Sequence, residues 1–543
     1  MMNRSKIFAL LTLSVLTLGS CKDELDVKNP NQPTKETLET ENGVVNLAQG
    51  FYVNGFRGLD ARFNDGVPGF FWSGAIGIHE IMGDVIGCEA ANWYLNQVGC
   101  PNQAVLDNGT TINNPQSPNQ QINLLRAVND VAQQGGNPTF HEWANMYNLN
   151  NACNTMLAYV DIAPMPINGD VKKKTLKAWA YWWKGFAYSR IGSIYYAGLI
   201  NNEAGKASNV YVTKEALIAE SNSNFDKAAA LLNGLTGAGY AETLGKLIPS
   251  FCQTGKGSPP STAEWTRSIN TMKARNIIVN KTIVAMTAAD WANVLALTNN
   301  GVQETDNVFT GRSNPTGDIW AGATGFVATK VASSDPGDNT YKLSERFVQE
   351  FKAGDKRKDN NVAIGTEWIG NADRGISFNT RFALLSGGAG LAGVYVYGDQ
   401  TPGAGEFYLA STFEENELMK AEALLRGATP NVAAAVTAID AVRTSQGAGL
   451  APLASNISVA TAIEELRRER RVALAFRGLS FYDGRRWGVA TGSRAGCVLV
   501  DGNAVVNTNA TIKYNFLDYW DVPDNELKLN PAGAGSAPTK NPK

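Results

Sequence analysis

The chain has 543 residues, with 48 Lys or Arg against 50 Asp or Glu and a formal net charge of −2. Hydrophobic residues make up 44% and charged residues 18%, which excludes a disordered chain, and the balance of charge argues against a nucleic-acid binder, whose basic face must neutralise phosphates. There are 12 Trp, 17 Tyr and 21 Phe but only 2 His, too few for the multi-His site of many metalloenzymes.

Residues 1–20 read as a signal peptide. Arg4 and Lys6 precede an apolar run over 7–18 that only Thr12, Ser14 and Thr17 interrupt. The run is shorter than the roughly 20 residues of a membrane-spanning helix, and its flanks fit a secretory signal. Leu18-Gly19-Ser20-Cys21 resembles the bacterial lipobox, in which the Cys is acylated and the chain is cut before it. An ordinary signal peptide with a coincidental Cys is the alternative. Lys22-Asp23-Glu24 resembles the surface-export signal of Bacteroidetes lipoproteins. That resemblance implies an anchor in the outer leaflet of the outer membrane, facing the medium. Residues 21–40 then form the lipid anchor and a polar tether.

Apolar spacing at i, i+3, i+4 and i+7 predicts helices over 41–55, 140–162, 172–197, 214–232, 263–286 and 288–299. The segments come in helix–turn–helix pairs, as in tetratricopeptide repeats, and 413–427 with 431–446 forms another pair. Tyr181, Gly185 and Tyr188 fall at the spacing where a small residue lets two helices approach. The fold class expected is all-α dominated: a tetratricopeptide-like helical repeat scaffold with large irregular loop insertions and a little β. A solenoid has no single compact core, so 41–543 reads as one domain despite its length. The insertions span about 58–120 and 301–410, the second with a strand-like Val394-Tyr395-Val396-Tyr397. Loops this long are usually functional or disordered, and their aromatic content argues against disorder.

Catalytic and cofactor motifs are mostly rejected. His79-Glu80 lacks the second His of a zinc-protease helix. Gly388-Ala389-Gly390-Leu391-Ala392-Gly393 matches GxGxxG, but a strand-like stretch follows where a pyrophosphate-binding helix is needed. Neither His79 nor His141 sits in a triad motif. A glycosidase-type carboxylate pair stays open, because spacing in sequence does not fix spacing in space. No cofactor, metal or catalytic residue is assigned. Glu464 lies four residues before Arg468, so 464–471 reads as an ion-pair network locking one helix to its neighbours. Five Cys follow Cys21, an odd number, so at least one is free or pairs with another chain. A disulfide between Cys88 and Cys100 would staple an Asn/Gly-rich loop, and the unbridged pair is the equal alternative.

Residues 465–488 read ELRRERRVALAFRGLSFYDGRRWG. This resembles the C-terminal segment of the SusD/RagB family, with Glu469, Arg470, Leu474, Ala475, Phe476, Gly478, Asp483, Arg486, Trp487 and Gly488 in place. ENELMKAEALLRG over 415–427 and YWDVPDNELKLNP over 519–531 resemble flanking family segments. The pattern departs at Arg477, usually Glu, and at Gly484, usually aliphatic. The resemblance implies a surface lipoprotein on tetratricopeptide-like repeats that is not an enzyme. It implies capture of oligosaccharide for a SusC-like TonB-dependent transporter in the cell outer membrane. Peptides or another nutrient on the same scaffold, or a surface glycosidase, are the alternatives.

A sugar offers C–H faces for aromatic rings and hydroxyls for Asn, Gln, Asp and Arg. Residues 82–93 resemble the family stretch where an Asp-containing turn precedes a ligand-facing aromatic, which nominates Asp84, Asn92, Trp93 and Tyr94. Trp320 and Trp368 are candidates for the opposite wall. Phe70-Phe71-Trp72 and Trp487 are expected in the core.

Overall fold

The computed structural model describes residues 35–53, 71–88, 95–132, 137–312, 326–333, 341–368 and 380–543. The helical scaffold expected from the sequence is the one observed. Its main helices are α1 (Glu41–Val53), α2 (Ile76–Met82), α3 (Pro138–Tyr159), α4 (Gly169–Ile194), α5 (Lys214–Leu232) and α6 (Thr262–Val279). They continue with α7 (Ala288–Asn299), α8 (Phe413–Arg426), α9 (Val432–Ser445), α10 (Val459–Ala473) and α11 (Ser480–Arg486). Successive members pack on one another from α3 through α10, the nearest-neighbour stacking of a helical repeat.

Local chemistry sets the ends. Ser261 with Glu264, and Thr287 with Asp290, form capping boxes that start α6 and α7. The single helix expected over 263–286 stops instead at Val279, where Asn280 leaves helical geometry.

The core centres on α4, buried almost all round, as a helix enclosed by neighbours must be. Trp183 packs edge-to-face with Trp179, Trp182 and Phe186, Trp182 stacks on Phe186, Trp179 meets Trp265 edge-on, and Trp182 meets Phe309 edge-on. Gly185 lets α5 approach. A Cβ there would lie 2.6 Å from the buried Phe225 ring. Gly185→Ala is therefore expected to destabilise by about 1–2 kcal/mol, overpacking outweighing the helix-propensity gain. Gly245→Ala, where a Cβ meets nothing within 4 Å, is the control and should hold or raise Tm.

The loop regions carry the β structure. β1 (Ile86–Cys88), β4 (Tyr341–Leu343), β5 (Val362–Trp368) and β6 (Thr380–Leu384) form one antiparallel sheet in the order β1-β4-β6-β5. A second sheet joins β2 (Gln103–Val105) and β3 (Thr111–Asn113) to a C-terminal hairpin, β7 (Ser493–Val500) and β8 (Val506–Lys513). The first insertion is thus stitched to the far end of the chain, a pairing that periodicity cannot reveal. Residues 394–397 are not a strand. They sit in a loop where Gly388, Gly390 and Gly393 take positive φ, so no helix starts after the GxGxxG match.

Candidate functional site

The C-terminal motif builds a buried lattice of ion pairs. Arg470 grips Asp483 through Nε and Nη2 at 2.9 and 3.0 Å. Arg486 bridges Asp483 at 2.7 Å and Glu422 at 2.9 and 2.6 Å, tying α11 to α8. Glu469 receives Arg357 and Arg443, and Glu350 receives Arg467 and Arg494. Burial alone would raise the carboxyls of Glu422 and Glu350, but the guanidinium groups outweigh it and hold both at about 2. The ion-pair lock expected over 464–471 is present with one partner changed. Glu464 bonds Arg467, and Arg468 reaches the Gln349 carbonyl instead.

The motif also clamps α2. The Gly478 N–H, in a left-handed turn at φ 68°, donates to Glu80 Oε1 at 2.7 Å. Ser480 Oγ donates to Glu80 Oε2, and burial, only partly offset by these bonds, pushes the Glu80 carboxyl up to about 7. His79 beside it is fully buried against Glu142 and Arg190, and burial lowers its pKa.

Asp84 follows α2 at φ 55°. Its carboxylate accepts from Arg346 Nε and Nη2 at 2.8 and 2.7 Å and from Ser344 Oγ at 2.7 Å. Burial works against the ionised form, and Arg346 overcomes it to hold the carboxyl below its ordinary value. Arg471 donates to the Gly83 and Asp84 carbonyls. Asp84 thus braces the turn that launches β1, and its oxygens are occupied by protein partners. Asn92, Trp93, Tyr94, Trp320 and Cys21 lie outside the described residues, as do the side chains of Trp368 and Cys88, so the Cys88–Cys100 pairing is not described either.

The described backbone places β1 and β5 in one sheet. Ile86, Leu343, Phe382 and Ile364 form one row across the sheet. Cys88 lies on the Tyr341 side of that row, and Trp368 lies on the other side, opposite Thr380. The strand ending at Cys88 and the strand ending at Trp368 therefore leave opposite ends of the same sheet.

Two concave features were not legible in the sequence. The first is a pocket of about 20 Å³ lined by Trp72, Phe326, Tyr395, Phe407, Tyr408 and Arg477, among others. Phe326 stacks on Phe407 at 4.1 Å, and Trp72 meets Phe407 edge-on at 5.7 Å. Trp72 is buried, as expected, yet it forms part of this wall. The second is a cleft of about 470 Å³ beside Ile283, Val284, Arg426 and Trp487. Trp487 is half-buried there and not a core residue, because α11 ends at its backbone and leaves the ring against Arg486 at 4.7 Å. At Gly484 a Cβ would meet only Ala490, at 3.9 Å, so packing does not demand a glycine.

A model of the SusD family matches residues 417–533, the span that contains this ion-pair lattice apart from Glu350 and Arg357. Over this span the chain is similar to the SusD family. No curated protein matches the sequence. Among solved structures, surface glycan-binding protein A from Bacteroides fluxus is 12% identical with a TM-score of 0.56, covering 94% of this chain and 100% of that one. A SusD-like carbohydrate binding protein from Bacteroides fragilis is 14% identical with a TM-score of 0.55, covering 91% and 99%. Surface glycan-binding protein A from Bacteroides thetaiotaomicron in complex with laminarihexaose is 11% identical with a TM-score of 0.54, covering 91% and 98%. The SusD-like fold thus extends well beyond the matched C-terminal span. Among its described residues no helix is long and apolar enough to cross a membrane, and no group of three or more His, Cys, Asp or Glu could hold a metal.

Proposed function

We propose that this chain is a surface-exposed lipoprotein that binds oligosaccharide and delivers it to a SusC-like TonB-dependent transporter. The observation that supports this best is the shared fold with glycan-binding chains over more than nine-tenths of their length, one of them holding laminarihexaose. The lipobox-like Cys21 and the following Lys-Asp-Glu support lipid anchorage at the outer membrane, with residues 41–543 acting as one domain. The nearly balanced charge and abundant aromatic residues suit a ligand recognised by ring stacking more than by net charge.

Isothermal titration against laminari-oligosaccharides, other neutral oligosaccharides and peptides tests this proposal. Saturable binding of an oligosaccharide without release of reducing ends is expected. Trp93→Ala should weaken it about ten- to a hundredfold, the effect of removing a stacking ring from a binding centre. Unchanged affinity would remove Trp93 from the site. Turnover of the sugar would replace binding with glycosidase action.

A further inference from the structure

The cleft of about 470 Å³ lies where α8, α10 and α11 meet the turn after α6. Its volume falls within the roughly 300–1,000 Å³ of small-molecule sites. Trp487, Ile463 and Ile283 give it a half-buried apolar wall, and Val284 beside them is 95% exposed.

The lining also carries hydrogen-bonding groups that the described residues leave free. Arg426 donates through Nε to Glu422 Oε1 at 3.0 Å, and its side chain is 20% exposed. Its Nη1 and Nη2 have no protein acceptor and are open to solvent. Trp487 Nε1 is in the same condition. Thr282 and Thr491 are exposed, and their hydroxyls have no protein partner.

The free charge in this cleft has one sign. Glu422, the acidic residue of the lining, is fully buried and already receives Arg486 and Arg426. Arg467 donates to Glu350 and Glu464. Arg485 donates to the carbonyls of Ser193, Asp518 and Val279, and no carboxylate pairs with it. A neutral sugar would leave this positive charge unanswered, and the amine of a short peptide would find no free carboxylate. A sugar with an anionic substituent meets both surfaces: its C–H face suits the indole ring, and its anion suits the paired N–H groups of an open guanidinium edge.

We propose that this cleft is a second glycan-binding site, selective for a sugar residue that carries a carboxylate or a sulfate, with the ring on Trp487 and the anion on Arg426. This rests on the glycan-binding proposal and adds a site far in sequence from Trp93.

The test is titration of the full chain with trigalacturonate and its methyl ester, with a sulfated galactose trisaccharide and its desulfated form, and with neutral laminarihexaose. At least one charged sugar should bind about tenfold or more tightly than its uncharged form, and the pair that shows the difference names the anion. Arg426→Gln should abolish that preference, while Glu422 keeps Arg486 as its partner. Trp487→Ala should weaken the charged sugar about tenfold, the effect of removing a stacking ring. The absence of any charge preference, or one that survives Arg426→Gln, overturns the cleft site and leaves the glycan-binding proposal standing. Binding of neutral oligosaccharide alone has the same consequence. No binding of any sugar overturns both. An Arg426-dependent preference for a peptide overturns the sugar assignment. In crystals grown with the preferred sugar, a ring against Trp487 with its anion at Arg426 supports the site, and a sugar bound only elsewhere rejects it.

Discussion

Glu422→Ala is expected to lower the free energy of unfolding by about 3–5 kcal/mol, the usual cost of breaking a buried ion pair on one side. Glu422 and Asp483 are the two buried carboxylates that balance Arg470 and Arg486. Without Glu422 both guanidinium groups fall on Asp483, and one positive charge stays buried without its counter-ion. Glu422→Gln keeps the volume and removes the same charge, so it should also destabilise, which separates charge from cavity formation. Thermal and denaturant unfolding measure both. An unchanged Tm in either variant would contradict the charge balance described. The same residues fix the acid limit. Glu422 and Glu350 are held at about 2, below their ordinary 4.5, so they bind fewer protons folded than unfolded. Their contribution is complete above about pH 4.5 and is lost as pH falls through about 2. Tm should fall across that window, and less steeply in Glu422→Gln.

Cys21→Ala is expected to move the protein from the outer-membrane fraction to the soluble fraction. Two or three acyl chains hold a protein stably on a bilayer, whereas one chain binds only marginally. The described residues contain no helix able to take over as an anchor. Fractionation of cells expressing each form, with protease added outside, reads both attachment and exposure. Retention of Cys21→Ala in the membrane fraction would show that another contact holds the chain there.

Helices were legible in the sequence where their signals are local. The ends of α5 and α7 coincide with the apolar spacing, and Gly185 announced a helix crossing, because periodicity and side-chain volume act within a few turns. The overlong 263–286 segment shows the limit: apolar spacing continues past Asn280, but the backbone does not. The C-terminal motif was legible as a resemblance and 464–471 as an ion-pair network, but its distant partners Glu350, Arg357 and Glu422 were not.

The candidate site was less legible. Asp84 was nominated as a ligand contact, but Arg346, 262 residues later, occupies its carboxylate. The Arg477 pocket draws on residues near 72, 326, 395–408 and 475–477, none marked by spacing. The amino-acid sequence by itself determined a helical chain whose C-terminal segment resembles the SusD family, because helix periodicity and the motif are contiguous. Tertiary structure decided which charges are satisfied, which aromatic rings reach a cavity, and that the Cys88 and Trp368 strand ends point apart. Those properties depend on pairings between residues hundreds of positions apart, whose geometry exists only once the helices have packed.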